Sequence, residues 1–202
     1  MIPTLNILEA VEALKRGGVI AYPTETFYGL GCDATSADAV RRLFEIKGRA
    51  LDVAIPALLD DPKKLSQYVE EIPEVAKTLM RKYWPGPLTL IFRAKGLFPK
   101  ELLAGTGKIA LRFSGHAAAR ELAQALGLPL TTTSANPSGL NPARSAEEVR
   151  AFGLKLDGIF DGGLLPPAKG STILDVSIEP ARLVREGEIS KQELSTFLKI
   201  LS

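Results

Sequence analysis

The sequence predicts an α/β fold in which helices cover a sheet. Helix-periodic and strand-like segments alternate along most of the 202 residues, the pattern expected when both kinds of element share one core. A composition of 46% hydrophobic and 24% charged residues supplies enough apolar surface for that core and excludes a disordered chain. No repeat, low-complexity tract or linker interrupts the alternation, so residues 1–202 are expected to form a single domain. Pattern matching gives roughly seven strands and six helices.

The first helix follows Asn6, with Glu9 three residues on as capping-box partner, and stops at Gly17-Gly18. Glu9 and Glu12 fall inside its apolar pattern, which marks an amphipathic helix and not a secretory segment. Val19 to Tyr22 follows as an apolar strand. Tyr22 to Gly31 then carries Thr24, Glu25 and Thr26 between Pro23 and Gly29, at a strand end where open α/β sheets bind ligands. A plain turn would account for Pro23 and Gly29 alone. Ser36 caps a second helix whose apolar face, Val40, Leu43 and Phe44, continues in phase to Lys47 before Gly48 stops it.

A strand near Ala54 to Leu59 comes next, then helical segments from Pro62 to about Tyr83 and a strand Leu88 to Phe92 after the Trp84-Pro85-Gly86-Pro87 break. Lys108 to Phe113 reads as a strand, His116 to Leu126 as a helix, and Pro129 to Thr133 as a β-prone run entering Ser134-Ala135-Asn136-Pro137. Ser145 with Glu148 and Ser190 with Glu193 open two further helices. Short strands are expected around Gly158 to Phe160, Thr172 to Val176 and Leu183 to Arg185.

Several segments offer chemistry. Lys47 and Arg49 bracket a helix end, where cations serve either the helix dipole or a phosphate clamp, Lys as a point charge and Arg as a fork. Strand alternation puts Thr132, Ser134 and Asn136 on one face if the strand runs that far; the alternative is a solvated strand end with an Asn-Pro turn. Gly170-Ser171-Thr172 and Arg185 are small polar groups at strand ends. Other chemistries are excluded. There is no GxxxxGK[ST] loop, and Gly105-Thr106-Gly107 precedes a strand instead of joining a strand to a helix. The lone His116 suits a structural place at a helix start, and the lone Cys32 an inert buried thiol, so neither a triad nor a metal framework is expected. A single cysteine and no stretch of transmembrane length point to a cytoplasmic protein without a membrane. The net charge of +2 gives little general attraction for nucleic acid.

The strings YPTETFYGLG, KGR, WPGPLTLI, LR, TTTSANPSG, GSTILD and LVREG, in this order and spacing, resemble the YrdC-like family of threonylcarbamoyl-AMP synthases across nearly the whole chain. The most specific part is Lys47-x-Arg49 combined with Ser134-x-Asn136. The resemblance implies a twisted mixed sheet flanked by helices around a basic concave cleft. It also implies that Thr26, Arg112, Thr132 and Ser171 hold threonine, and that Lys47, Arg49, Ser134, Asn136 and Arg185 surround ATP, with backbone contacts near Lys108 and Pro142. Lys47 and Arg49 are the implied catalytic pair. The sequence departs from the family at Ala50, Val53, Ala54 and Leu58, lacks a proline after Arg112, and ends at Ser202, where the C-terminal domain of longer relatives is expected to be absent.

By the same resemblance the reaction joins L-threonine, bicarbonate and ATP, with Mg2+ carried on the ATP, into threonylcarbamoyl-AMP and pyrophosphate. The acceptor of the product is a threonylcarbamoyl-transferase complex that modifies tRNA, and any direct tRNA contact is expected to be weak or indirect. Two rivals use the same cleft: an RNA-binding module holding phosphates without chemistry, and a YrdC-like paralogue lacking synthase activity.

Overall fold

The computed structural model describes residues 2–48 and 54–201. Twelve strands and seven α-helices lie among them. In chain order these are β1 (Thr4–Leu5), α1 (Ile7–Lys15), β2 (Ile20–Pro23), β3 (Tyr28–Gly31), α2 (Ala37–Lys47), β4 (Ala57–Leu58), α3 (Leu65–Tyr68), α4 (Glu74–Tyr83), β5 (Leu88–Arg93) and β6 (Lys108–Arg112). There follow α5 (Ala117–Leu126), β7 (Leu130–Thr131), β8 (Thr133–Ser134), α6 (Ala146–Ala151), β9 (Gly158–Phe160), β10 (Thr172–Asp175), β11 (Ala181–Arg185), α7 (Lys191–Leu194) and β12 (Ile200–Leu201). The α/β class expected from the sequence is present, but its strands form two mixed sheets. One runs β1-β9-β2-β3-β8 and the other β12-β11-β10-β5-β6-β4-β7.

The helix starts follow the side-chain chemistry. Asn6 accepts from the Glu9 amide at 3.1 Å while Glu9 accepts from the Asn6 amide at 2.8 Å, a complete capping box. Ser145 and Ser190 likewise accept from the amides of Glu148 and Glu193. The two glutamates do not reach back to their caps: Glu148 accepts from the Arg144 amide and Glu193 from the Tyr83 hydroxyl. Gly48 closes α2 in the left-handed conformation at φ +61°, which a glycine adopts without a Cβ penalty.

β2 is buried on both faces, and alternation decides where each side chain goes. Ala21 joins Tyr28, Leu30, Leu90 and Leu111 in the larger core, which draws on both sheets. Ile20 and Tyr22 face α1 and α5, where Leu14 and Leu122 meet them. Burying each such side chain contributes about 1.5–3 kcal/mol.

The edge strands β1 and β12 were not expected, and three segments next to the cleft differ from the sequence reading. Tyr28 to Gly31, read as loop, is the strand β3, paired antiparallel with β2 from Pro23↔Tyr28 to Ile20↔Gly31. Gly31 is there for space: a Cβ on it would stand 2.6 Å from the Tyr22 ring and 3.0 Å from Leu130. The run from Pro129 is not one strand. β7 pairs with β4 in the seven-stranded sheet, β8 pairs with β3 in the five-stranded sheet, and Thr132 is the step between them, its amide donating to the Pro56 carbonyl at 2.7 Å. The strand expected at Ala54 to Leu59 is the two-residue β4. Pairing partners, not intrinsic preference, set these boundaries.

Candidate active site

Where the chain steps from one sheet to the other, the sheets part around a cleft of about 560 Å³. Its floor is one face of the seven-stranded sheet, carrying Ile91, Ala110, Arg112 and Ile173, residues that alternation places on the same side of β5, β6 and β10. Its walls are the β2–β3 loop with Thr24 and Thr26, the step Thr132 to Ser134, Pro142, and Ser171 with Arg185. Of the residues expected to bind ligands, Thr26, Arg112, Thr132, Ser134, Pro142, Ser171 and Arg185 all line this one space.

The β2–β3 loop is held by Thr24. Its hydroxyl donates to the Phe27 carbonyl at 2.7 Å, accepts from the amides of Thr26 and Phe27 at 3.2 Å, and lies 3.1 Å from the Thr26 hydroxyl. These bonds fix Thr26 at the wall. Arg112, at the end of β6, is buried and ion-paired: Nη1 donates to Glu25 Oε1 at 2.8 Å, and Nη2 approaches Thr132 Oγ1 at 3.4 Å. Its Nε is buried and has no hydrogen-bond partner among the described residues. Burial pushes the Glu25 carboxyl up, but the Arg112 guanidinium and the Ser114 hydroxyl outweigh it and hold the group below the usual carboxylate range.

Across the cleft, Arg185 donates from Nε and Nη2 to the Ser171 carbonyl at 3.1 and 2.8 Å, and from Nη2 to the Ser171 hydroxyl at 3.1 Å. That hydroxyl also accepts from Thr89 at 2.9 Å. Partial desolvation and repulsion from Arg112 hold the Arg185 guanidinium below its ordinary value, although its side chain keeps solvent access. An anion between the two arginines would screen their repulsion and offset the cost of desolvation.

Lys47 is buried in phase with Val40, Leu43 and Phe44, as the helical pattern requires. Its ammonium donates to the Ser134 carbonyl, to the Ser134 hydroxyl at 3.1 Å and to Asn136 Oδ1 at 2.5 Å. Asn136 in turn donates to the Leu140 carbonyl. Lys47 and Asn136 therefore stand one hydrogen bond behind the cleft wall at Ser134 and do not line the cleft themselves. Lys108 is also outside the lining: its ammonium pairs with Asp175 at 2.9 Å. Arg49, Ala50 and Val53 lie outside the described residues.

The residues set aside as structural behave so. Cys32 is buried and its thiol is pushed up to about 12 by that burial, far from a reactive thiolate. His116 precedes α5, and burial holds its imidazole below the usual value. Among the described residues no group of three or more His, Cys, Asp or Glu is placed to hold a metal ion, and no helix is long and apolar enough to cross a membrane. Two contributors escaped the sequence reading, Thr89 and Ser114, while Thr24 and Glu25 were read as part of a polar pocket edge without roles of their own. Thr24 and Glu25 sit inside the PTET string, and Ser114 shares the side of the chain with Arg112 two residues earlier. The pairing of Glu25 with Arg112 spans 87 residues, and no local pattern reports it.

A family model covering the Sua5, YciO and YrdC proteins, described as telomere recombination, matches residues 12–187. A threonylcarbamoyl-AMP synthase of Thiobacillus denitrificans is 39% identical over 165 residues, 81% of this chain and 87% of that protein. Another, of Halorhodospira halophila, is 38% identical over 160 residues, 79% of this chain and 84% of that protein. Among solved structures, Sua5 of P. abyssi complexed with L-threonine is similar with a TM-score of 0.90 at 32% identity, covering 99% of this chain. This chain spans only 62% of that protein. E. coli YciO is similar with a TM-score of 0.82 at 30% identity, covering 97% of this chain and 96% of that one.

Proposed function

The chain belongs to the Sua5/YciO/YrdC family, and on that premise we propose that it is a threonylcarbamoyl-AMP synthase, making threonylcarbamoyl-AMP and pyrophosphate from L-threonine, bicarbonate and ATP. The observation that carries the reading is the cleft itself. Two guanidiniums, Arg112 and Arg185, and the hydroxyls of Thr26, Thr132, Ser134 and Ser171 converge on one space. That set of groups suits a substrate pair made of a small hydroxy amino acid and a phosphate ester.

The threonine end takes Arg112, Thr26, Thr132 and Ser171. Arg112 receives the carboxylate, and the short hydroxyls of Thr26 and Thr132 partner the substrate hydroxyl and amine. The ATP end takes Ser134, Asn136, Lys47, Arg49 and Arg185, with backbone contacts near Lys108 and Pro142. Threonine's amine adds to carbon dioxide released from bicarbonate and gives a carbamate. A carbamate oxygen then attacks the α-phosphate, and pyrophosphate leaves. No protein nucleophile is needed, so catalysis rests on placing the two substrates and neutralising charge on the phosphates. Lys47 and Arg49 supply that charge with Arg185, Lys47 from behind Ser134. Magnesium enters with ATP as part of the substrate, bound chiefly by phosphate and water.

We read both sheets as one domain, because the larger core draws side chains from each. The product passes to a threonylcarbamoyl-transferase complex that modifies tRNA, the enzyme works in the cytoplasm, and its own contact with tRNA is weak or indirect. Amino-acid selectivity tests the substrate assignment. Serine lacks only the methyl and should lose roughly 1–3 kcal/mol of discrimination, whereas valine leaves the pocket's hydroxyl partners unmet and should fall by up to about four orders of magnitude in kcat/KM. Valine turning over as well as threonine would overturn the assignment.

A further inference from the structure

We infer that Glu25 is the positioning residue of the amino-acid end of the cleft: its carboxylate clamps Arg112 from behind and so sets the affinity for the threonine carboxylate without touching the substrate. The inference rests on the reading that Arg112 binds that carboxylate.

Glu25 sits between two cleft-lining threonines but is not itself part of the lining. Both its oxygens are committed away from the cleft. Oε1 accepts from Arg112 Nη1 at 2.8 Å, and Oε2 accepts from the Ser114 hydroxyl. Ser114 is tied to the start of α5: its hydroxyl accepts from the His116 amide at 3.2 Å, and its carbonyl accepts from Arg120 at 2.8 Å. The clamp therefore has a rigid base. Held by one nitrogen, the guanidinium turns Nη2 toward Thr132, where the contact is a long 3.4 Å. That nitrogen has capacity left for a ligand, whereas Nε is buried and has no hydrogen-bond partner among the described residues. An arginine so oriented presents a partly satisfied face to a carboxylate, and its rotamer freedom is already spent before the ligand arrives.

A merely neutralising carboxylate would serve stability and nothing else, and steady-state kinetics separate the two roles. Glu25→Gln keeps the shape and removes the charge. Its KM for threonine should rise about tenfold or more, while its KM for ATP and its kcat change by only about twofold, the signature of lost ground-state binding at one substrate. Glu25→Asp keeps the charge but shortens the reach by one methylene, and should recover melting temperature more than threonine affinity. Titration of L-threonine alone into each folded variant gives the same comparison without turnover. An equal loss on both substrates in Glu25→Gln, or full recovery of threonine affinity in Glu25→Asp, would overturn the inference. Arg112→Ala in the same assays separates it from the reading beneath. If Arg112→Ala weakens threonine and Glu25→Gln does not, the positioning role alone fails; if Arg112→Ala leaves threonine affinity intact, both fail.

Discussion

Lys47 joins two roles in one side chain. It completes the buried face of α2 and carries its charge to Ser134 and Asn136, at the cleft wall. Replacing it with alanine should lower adenylate formation at least tenfold, since one charge acting on the transferring phosphate contributes about 2–4 kcal/mol in a water-poor site. The same substitution leaves buried acceptors unmet and should cost about 1–3 kcal/mol of stability while the chain still folds. Turnover measured beside a melting curve checks both parts, and unchanged turnover would remove Lys47 from catalysis. Its burial was legible in the sequence because Lys47 falls in phase with Val40, Leu43 and Phe44. Its grouping with Ser134 and Asn136 came from the family resemblance alone, because they lie 87 and 89 residues away and no local pattern links them.

The hairpin of β2 and β3 links packing to the site. Gly31 leaves room for the Tyr22 ring beside β3, and the Tyr22 hydroxyl donates to the Thr131 carbonyl at 2.8 Å, next to the step at Thr132. Gly31→Ala puts a methyl 2.6 Å from that ring. It should destabilise the protein by roughly 1–3 kcal/mol, as overpacking does, and raise the KM for threonine because Thr132 is displaced. Thermal melts and kinetics test this, and a variant as stable and active as the parent would contradict it. Long elements with local signals, α1, α2, α5, β5 and β6, were readable from periodicity and caps. The two-residue strands β4, β7 and β8 were readable only as β-prone runs, without their bounds or partners, because pairing in sheets assembled from distant segments sets both. The division into two sheets follows from those pairings and so escaped the sequence as well.

Across the whole molecule, carboxylates held below their ordinary range tie folding to pH, Glu25 and Asp175 among them. Glu25 and Asp175 are both pushed up by burial, and both are held below their ordinary range by stronger opposing contacts, Arg112 and Ser114 for the first, Ser177 and Lys108 for the second. A folded-state value below the unfolded one means the stabilisation is present above the unfolded value of about 4 and is lost as pH falls through the folded values. The melting temperature should therefore drop in that acid range, and Glu25→Gln with Asp175→Asn should flatten the fall. An unchanged acid limb in the double variant would contradict this. Read residue by residue, the site was legible only in pieces, short polar strings each open to a bland explanation; the family resemblance joined them, and the fold gathers most of them around one cleft. The central claim is that this cleft joins threonine, bicarbonate and ATP. Pyrophosphate release, measured with each of the three left out in turn, tests it most directly. Release that needs all three, with threonylcarbamoyl-AMP as the accompanying product, is the predicted result; release that is absent with all three present, or that persists without threonine or bicarbonate, would contradict it.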